Sequence, residues 1–242
     1  MRRYFYALIC LVSIAAAPAS ASSITFNGSS GSLSASVTFS TSGANLLMTF
    51  TNTSTNDVLV PSDVLTAFFF NSTGIALSLT PATGSVVLNT GSTVLFGGSD
   101  PGGVVGGEWD YRSGISGGAP AGANYGVSSV GLNIFGNASF PGSNLQGPVS
   151  VDGLQYGLTS AGDNPATGNT PVTGTNALIK NSVVITLPGI PAGYDPSAHI
   201  TNVWFQYGTA LDGEPGFPGT PEPSTLSMLI VGVFALRRRR LA

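Results

Sequence analysis

Between Ser22 and Thr220 apolar side chains return at every second position, in short runs separated by Gly, Asn, Ser and Pro. Leu33-Ser34-Ala35-Ser36-Val37-Thr38-Phe39 alternates cleanly, as does Leu47-Met48-Thr49-Phe50-Thr51-Asn52, with Ser42-Gly43-Ala44-Asn45 between them as a hairpin turn. Period two puts one set of side chains on one face of a strand, so each run is expected to bury one face. Val64 to Phe70 is denser and predicts a strand covered on both faces. Further expected strands are Ile75 to Leu79, Ser85 to Leu88, Thr93 to Phe96, Val127 to Phe135, Leu154 to Leu158, Ser182 to Leu187 and Asn202 to Tyr207. No window of the body carries a 3.6-residue apolar stripe with caps. Many short strands joined by turns predict a mainly β body, an antiparallel β-sandwich or jelly roll. No internal repeat supports a propeller or solenoid.

Three stretches break the rhythm. Gly97 to Gly126 holds eleven glycines around one charged and aromatic island, Glu108-Trp109-Asp110-Tyr111-Arg112, and reads as a long loop. Thr159 to Gly174 reads as a second polar loop. Thr209 to Thr220, with Gly213, Pro215, Gly216, Pro218 and Gly219, reads as a stiffened spacer.

The charge balance narrows the partners. Only Arg112 and Lys180 are basic between Ser22 and Thr220, against ten acids, so the body carries a net charge of −8. A phosphate-backbone binder needs a basic face, which excludes nucleic acid. The body has no cysteine, which excludes a disulfide framework and thiolate metal sites. Its surface is therefore covered by Ser, Thr, Asn and Gly, and about 200 residues suffice for one domain or two small ones.

Both ends carry address-like features. Met1-Arg2-Arg3 is a positive n-region, Tyr4 to Ala17 an apolar h-region, and Ala19-Ser20-Ala21 a small-x-small cleavage site, so residues 1–21 read as a secretory signal helix. Ile9 precedes Cys10 where a lipobox needs a small residue, so Cys10 reads as part of that helix. At the other end Thr225 to Leu236 is an uncharged apolar run followed by Arg237, Arg238, Arg239 and Arg240. Twelve helical residues reach about 18 Å against a hydrocarbon core of roughly 30 Å, so this transmembrane helix is short and holds weakly. Basic residues at both tips place both in the cytoplasm and the body across the membrane.

Pro221-Glu222-Pro223 with Ser224, the short apolar run and the arginine cluster together resemble the sorting signal of the PEP-CTERM family. The resemblance covers residues 221–242. It implies an exosortase, a multi-spanning membrane cysteine transpeptidase, that recognises Pro221, Glu222 and Pro223 while Arg237 to Arg240 stay cytoplasmic. It also implies a Gram-negative-type bacterial origin, export by the general secretory machinery, transient residence in the inner membrane, and an association with exopolysaccharide and biofilm.

Within the body the island at 108–112 is the place to look for chemistry. On a strand, Glu108 and Asp110 would share one face and Trp109 and Tyr111 the other. Paired carboxylates serve glycosidases, and Glu108-Trp109-Asp110 is similar to the start of a laminarinase-like Glu-x-Asp strand. Arg112 and Ser113 stand where the next carboxylate belongs, so catalysis is not expected. Glycan binding is the alternative use, with Trp109 and Tyr111 in a surface loop offering rings and Asp110, Asn124 and Tyr125 offering polar groups. The plainer reading has Arg112 neutralising Glu108 or Asp110 while the rings pack under the glycine loop.

Metal binding has little support. Asp152, Asp163, Asn164, Asp212 and Glu214 offer calcium oxygen donors in loops, without the spacing of a calcium loop. His199 is the only histidine, a poor metal ligand or base by itself. Four Asn-x-Ser/Thr triplets, at Asn27, Asn52, Asn71 and Asn137, match by chance in so polar a chain.

The expected organisation is therefore a signal peptide at 1–21, a β-rich body at 22–208, a spacer at 209–220 and a sorting signal at 221–242. The expected role is non-enzymatic and cofactor-free: an exported structural or adhesive protein of the cell surface or matrix. A secreted carbohydrate-binding module or carbohydrate-active enzyme with the same tail is the alternative.

Overall fold

The computed structural model describes residues 22–74, 76–77, 83–86, 102–136, 145, 151, 154–173 and 177–222. In chain order the strands are β1 (Ser23–Ser30), β2 (Leu33–Ser42), β3 (Asn45–Asn52), β4 (Leu65–Ser72), β5 (Thr83–Val86), β6 (Asp110–Ser113), β7 (Tyr125–Ser128), β8 (Leu158–Thr159), β9 (Ile179–Lys180), β10 (Ser182–Pro188), β11 (Ile200–Tyr207), β12 (Gly216–Pro218) and β13 (Thr220–Pro221). Among the described residues there are also two single-turn α-helices, α1 (Thr170–Thr173) and α2 (Pro196–His199), and three 3-10 turns. The protein is mainly β, as its alternation predicts.

Among the described residues the strands form two sheets. One has the order β13-β1-β2-β3-β10-β5, the other β12-β11-β4-β7-β6, with β8 paired to β4 and, in parallel, to β9. The alternating strands behave as period two requires. Ala35, Val37 and Phe39 of β2, Leu46, Met48 and Phe50 of β3, and Val183, Ile185 and Leu187 of β10 are buried, while the intervening Ser36, Thr38, Thr49 and Thr186 are half-exposed. These inward residues join Leu65, Phe68 and Phe70 of β4, Val127 of β7 and Phe205 and Tyr207 of β11 in one core cluster. Its centre is aromatic: the Phe39 ring meets Phe68 and Phe70 edge-on, and Phe50 stacks on Phe205 at 6.2 Å.

β4 is buried on both faces, as its composition predicts. Phe68 and Phe70 face the shared core, while Ala67 and Phe69 belong to a second cluster made with Ile115, Ala123, Val130, Leu132, Ile134, Phe135 and Val151. That second cluster is a lid of loop residues over the outer face of the second sheet. A polar knot ties the sheets together at one end. The Tyr207 hydroxyl donates to Ser34 O at 2.8 Å and lies 3.2 Å from Asn52 Oδ1, and Asn52 Nδ2 donates to Leu158 O at 3.0 Å.

Several expectations are corrected. The stretch 97–126 is no structureless loop where it is described: it holds β6 and the start of β7, with 3-10 turns at Gly106–Glu108 and Pro120–Gly122. Backbone pairing of Tyr111 with Val127 and of Arg112 with Gly126 supplies hydrogen bonds that the glycine content concealed. The strand expected over Val127 to Phe135 ends at Ser128, where Ser128 Oγ bonds Val130 O at 2.7 Å and the chain turns. Leu154 to Leu158 is mostly turn, with Gly157 N bonded to Leu154 O at 2.9 Å. Thr209 to Thr220 is no spacer, since it contains β12 and the first residue of β13. The folded body therefore runs past 208 to Glu222. Residues 1–21, Ile75, residues 78–79, Leu88, Thr93 to Phe96, Asp152 and residues 223–242 lie outside the described residues, and with them Ala19, Ala21, Pro223 and Arg237 to Arg240.

Candidate functional site

The island at 108–112 is built into the core. Glu108 closes a 3-10 turn instead of sharing a strand face with Asp110, and its carboxylate accepts from Leu145 N. The two carboxylates thus do not form a pair on one strand. Trp109 is only 2% exposed and meets Phe50 edge-on at 6.1 Å, which corrects the expectation of a surface ring. Tyr111 and Tyr125 are also buried, their rings stacked at 6.5 Å. The Tyr111 hydroxyl donates to Leu77 O, and the Tyr125 hydroxyl accepts from Leu77 N at 3.2 Å. Burial pushes the Tyr111 hydroxyl well above the usual phenol range. Of the five residues expected to meet a glycan, Asn124 alone is exposed, and its backbone N–H is taken by Asn71 Oδ1 at 2.9 Å. The physical reason is local concentration. Glycines on either side let the backbone close over a few large rings, so a stretch poor in apolar residues still supplies core.

Asp110 and Arg112 point away from those rings, to the lidded face. Asp110 is 3% exposed, its Oδ1 has no hydrogen-bond partner among the described residues, and burial pushes its carboxyl up to about 6. Arg112 is exposed and donates through Nη1 to Ile134 O. Beside it lies a cleft of about 630 Å³ with Ile115, Leu132, Ile134 and Leu211 as apolar walls and Arg112, Ser116, Asn133 and Asp212 as polar ones. Leu132 and Asn133 hold φ of 49° and 56°, the left-handed region that a bulky apolar residue rarely adopts. This cleft gathers β6, the turn after β7 and the turn after β11. No local pattern in the sequence joins those three segments, and it was not foreseen.

Pro221 and Glu222, the two described residues of the tripeptide, have a defined geometry. Pro221 pairs with Phe26 of β1 and Thr220 with Asn27. Glu222 N donates to Thr25 O at 2.8 Å, and Asn27 Nδ2 donates to Glu222 Oε1 at 2.6 Å. The one signal for this lay in Phe217, a lone aromatic among glycines and prolines, which is 4% exposed and packs against Phe205 and Tyr207.

Several carboxylates of the oxygen-rich loops are taken up by the chain itself. Asp57 accepts from Thr167 Oγ1 and from Asn164 N at 2.8 Å, which holds its carboxyl below the usual range. Asp163 accepts from Val58 N at 3.1 Å, and burial raises it. Glu214 Oε2 accepts from Thr209 N and Ala210 N. His199 Nδ1 lies 2.7 Å from Thr73 O, and its ring stacks on Tyr194 at 5.3 Å. Among the described residues no three His, Cys, Asp or Glu side chains come together as a metal site, and no helix is long and apolar enough to cross a membrane. No family model matches the chain, and neither curated proteins nor solved structures match it.

Proposed function

We propose that the chain is an exported, exosortase-sorted bacterial surface or extracellular-matrix protein with a structural or adhesive role and no catalytic activity of its own. The observation that carries this reading is the succession of motifs in the sequence: Pro221-Glu222-Pro223, the uncharged Thr225 to Leu236, then Arg237 to Arg240. The signal-like residues 1–21 support it from the other end, as does a body of net charge −8 that lacks cysteine. In this reading a β-sandwich body follows a cleaved signal helix, a short transmembrane helix holds the precursor in the inner membrane, and the processed protein joins the surface or an exopolysaccharide-containing matrix.

Intact-mass measurement of surface-extracted protein tests the proposal. The mature species is expected to lack Arg237 to Arg240, and Glu222→Ala is expected to leave a longer, membrane-retained precursor. Recovery of the full arginine-bearing end from mature protein would sink it.

Carbohydrate binding is the second reading, and the Arg112 cleft favours it. Aliphatic walls suit the C–H face of a sugar ring, and Arg112, Asn133, Ser116 and Asp212 offer donors and acceptors to its hydroxyls. Retention of the protein on a polysaccharide panel, weakened by Asn133→Ala, is the result this reading expects; equal retention of both proteins removes the cleft from consideration.

A further inference from the structure

Residues 216–222 cross from one sheet to the other. β12 pairs with β11 through Phe205↔Phe217, and four residues later Pro221 of β13 pairs with Phe26 of β1. The crossing is tight. Gly219 N donates to Val203 O at 2.8 Å, and a Cβ on Gly28 would lie 2.6 Å from Pro218 O. Hold is uneven along this strap. Phe217 is buried in the core, whereas Thr220, Pro221 and Glu222 are exposed and kept by a few polar contacts: Thr220 Oγ1 to Asn27 O at 3.2 Å, Glu222 N to Thr25 O and Asn27 Nδ2 to Glu222 Oε1. A deep anchor followed by a shallow two-residue strand lets the end open locally while the body stays folded.

We propose that the β1 edge is a binding site for the acidic end of the chain's own strap, and that release of residues 220–222 from it must precede processing at the tripeptide. The latch itself stands on the geometry; its consequence for processing rests on the sorting reading above. Both groups by which a peptide-binding enzyme reads a glutamate in an extended chain, its N–H and its carboxylate, are held by Thr25 and Asn27. A segment engaged in this way is available to an enzyme only for the fraction of time it is free, and its apparent affinity falls by that fraction. Reach acts in the same direction. Glu222 and Thr225 are three residues apart, at most about 11 Å of chain, so the latched body stands at the start of the apolar run. Freeing residues 220–222 adds up to about 11 Å, room for an enzyme between body and bilayer.

The test uses the full-length precursor, in micelles for hydrogen exchange and in exosortase-bearing cells for pulse-chase with intact mass. The Glu222 N–H is expected to exchange at least about tenfold slower than its intrinsic rate. Asn27→Ala is expected to raise both its exchange and the processing rate about fivefold, the effect of losing one modest hydrogen bond. The double variant Asn27→Cys/Thr220→Cys joins directly paired residues of antiparallel strands, within disulfide reach. Oxidised, it is expected to be processed at least about tenfold more slowly, with reductant restoring the rate. Processing of the oxidised variant at the wild-type rate overturns the gate, and intrinsic exchange at Glu222 overturns the latch. A wild-type chain that keeps its arginines while Glu222 is protected sinks the sorting reading and leaves the latch; processing without protection does the reverse.

Discussion

Replacement of Trp109 by alanine separates a structural island from a recognition loop. Trp109 is 2% exposed, its ring meets Phe50 edge-on at 6.1 Å, and it belongs to the cluster that both sheets share. Truncating a buried tryptophan costs about 3 to 5 kcal/mol through lost transfer energy and the cavity left behind. One feature of this site lowers that figure. Trp109 Nε1 has no hydrogen-bond partner among the described residues, and a buried unsatisfied donor costs about 1 to 3 kcal/mol that the alanine variant no longer bears. The expected loss is therefore near the lower end, about 3 kcal/mol, or roughly 6 to 12 °C in Tm for a body of this size. Trp109→Phe keeps a ring against Phe50 and discards the orphan donor, so it is expected to cost less than about 1.5 kcal/mol. Urea titration of the protein, followed by circular dichroism with a common slope for wild type and both variants, measures both. A Trp109→Ala loss of no more than about 0.5 kcal/mol, the size of a surface change, would refute the core placement, and equal losses in the two variants would refute the role given to the ring against Phe50.

Asp110→Asn tests the buried carboxylate. A native pKa raised from 3.8 to about 6 means that the folded state holds the proton more tightly than the unfolded one, so this group's contribution is most favourable below about pH 4 and is lost as pH rises to about 6. The asparagine variant is expected to lose that slope and to gain up to about 3 kcal/mol at pH 7; an unchanged stability profile between pH 4 and 6 would contradict it. Tyr207→Phe removes the hydroxyl that bridges Ser34 O and Asn52 Oδ1 and is expected to cost about 1 to 3 kcal/mol by the same urea titration, where a neutral result would show the knot between the sheets to be dispensable.

Period two in 33–39, 47–52 and 182–187 was enough to determine strands, their buried faces and a mainly β protein, because a one-residue slip would turn Val37, Phe50 or Ile185 to water. The dense run at 64–70 likewise declared burial on both faces. Composition alone settled the charge and the absence of disulfides in the body, and the order of motifs at residues 221–242 carries the proposed sorting. Which residues lie inside at the irregular places was decided by tertiary structure. Trp109, Tyr111 and Tyr125 sit among glycines, where periodicity has nothing to count, and they enter the core because β6 and β7 pair and close over Phe50 and Phe70. The Arg112 cleft needs three segments far apart in the chain, and residue order says nothing about their meeting. The strap is the sharpest case. Gly213 to Thr220 has the composition of a linker, yet two vacant sheet edges with unpaired backbone groups lay within reach of Phe217, and edge pairing combined with one buried ring turned residues 216–222 into part of the fold.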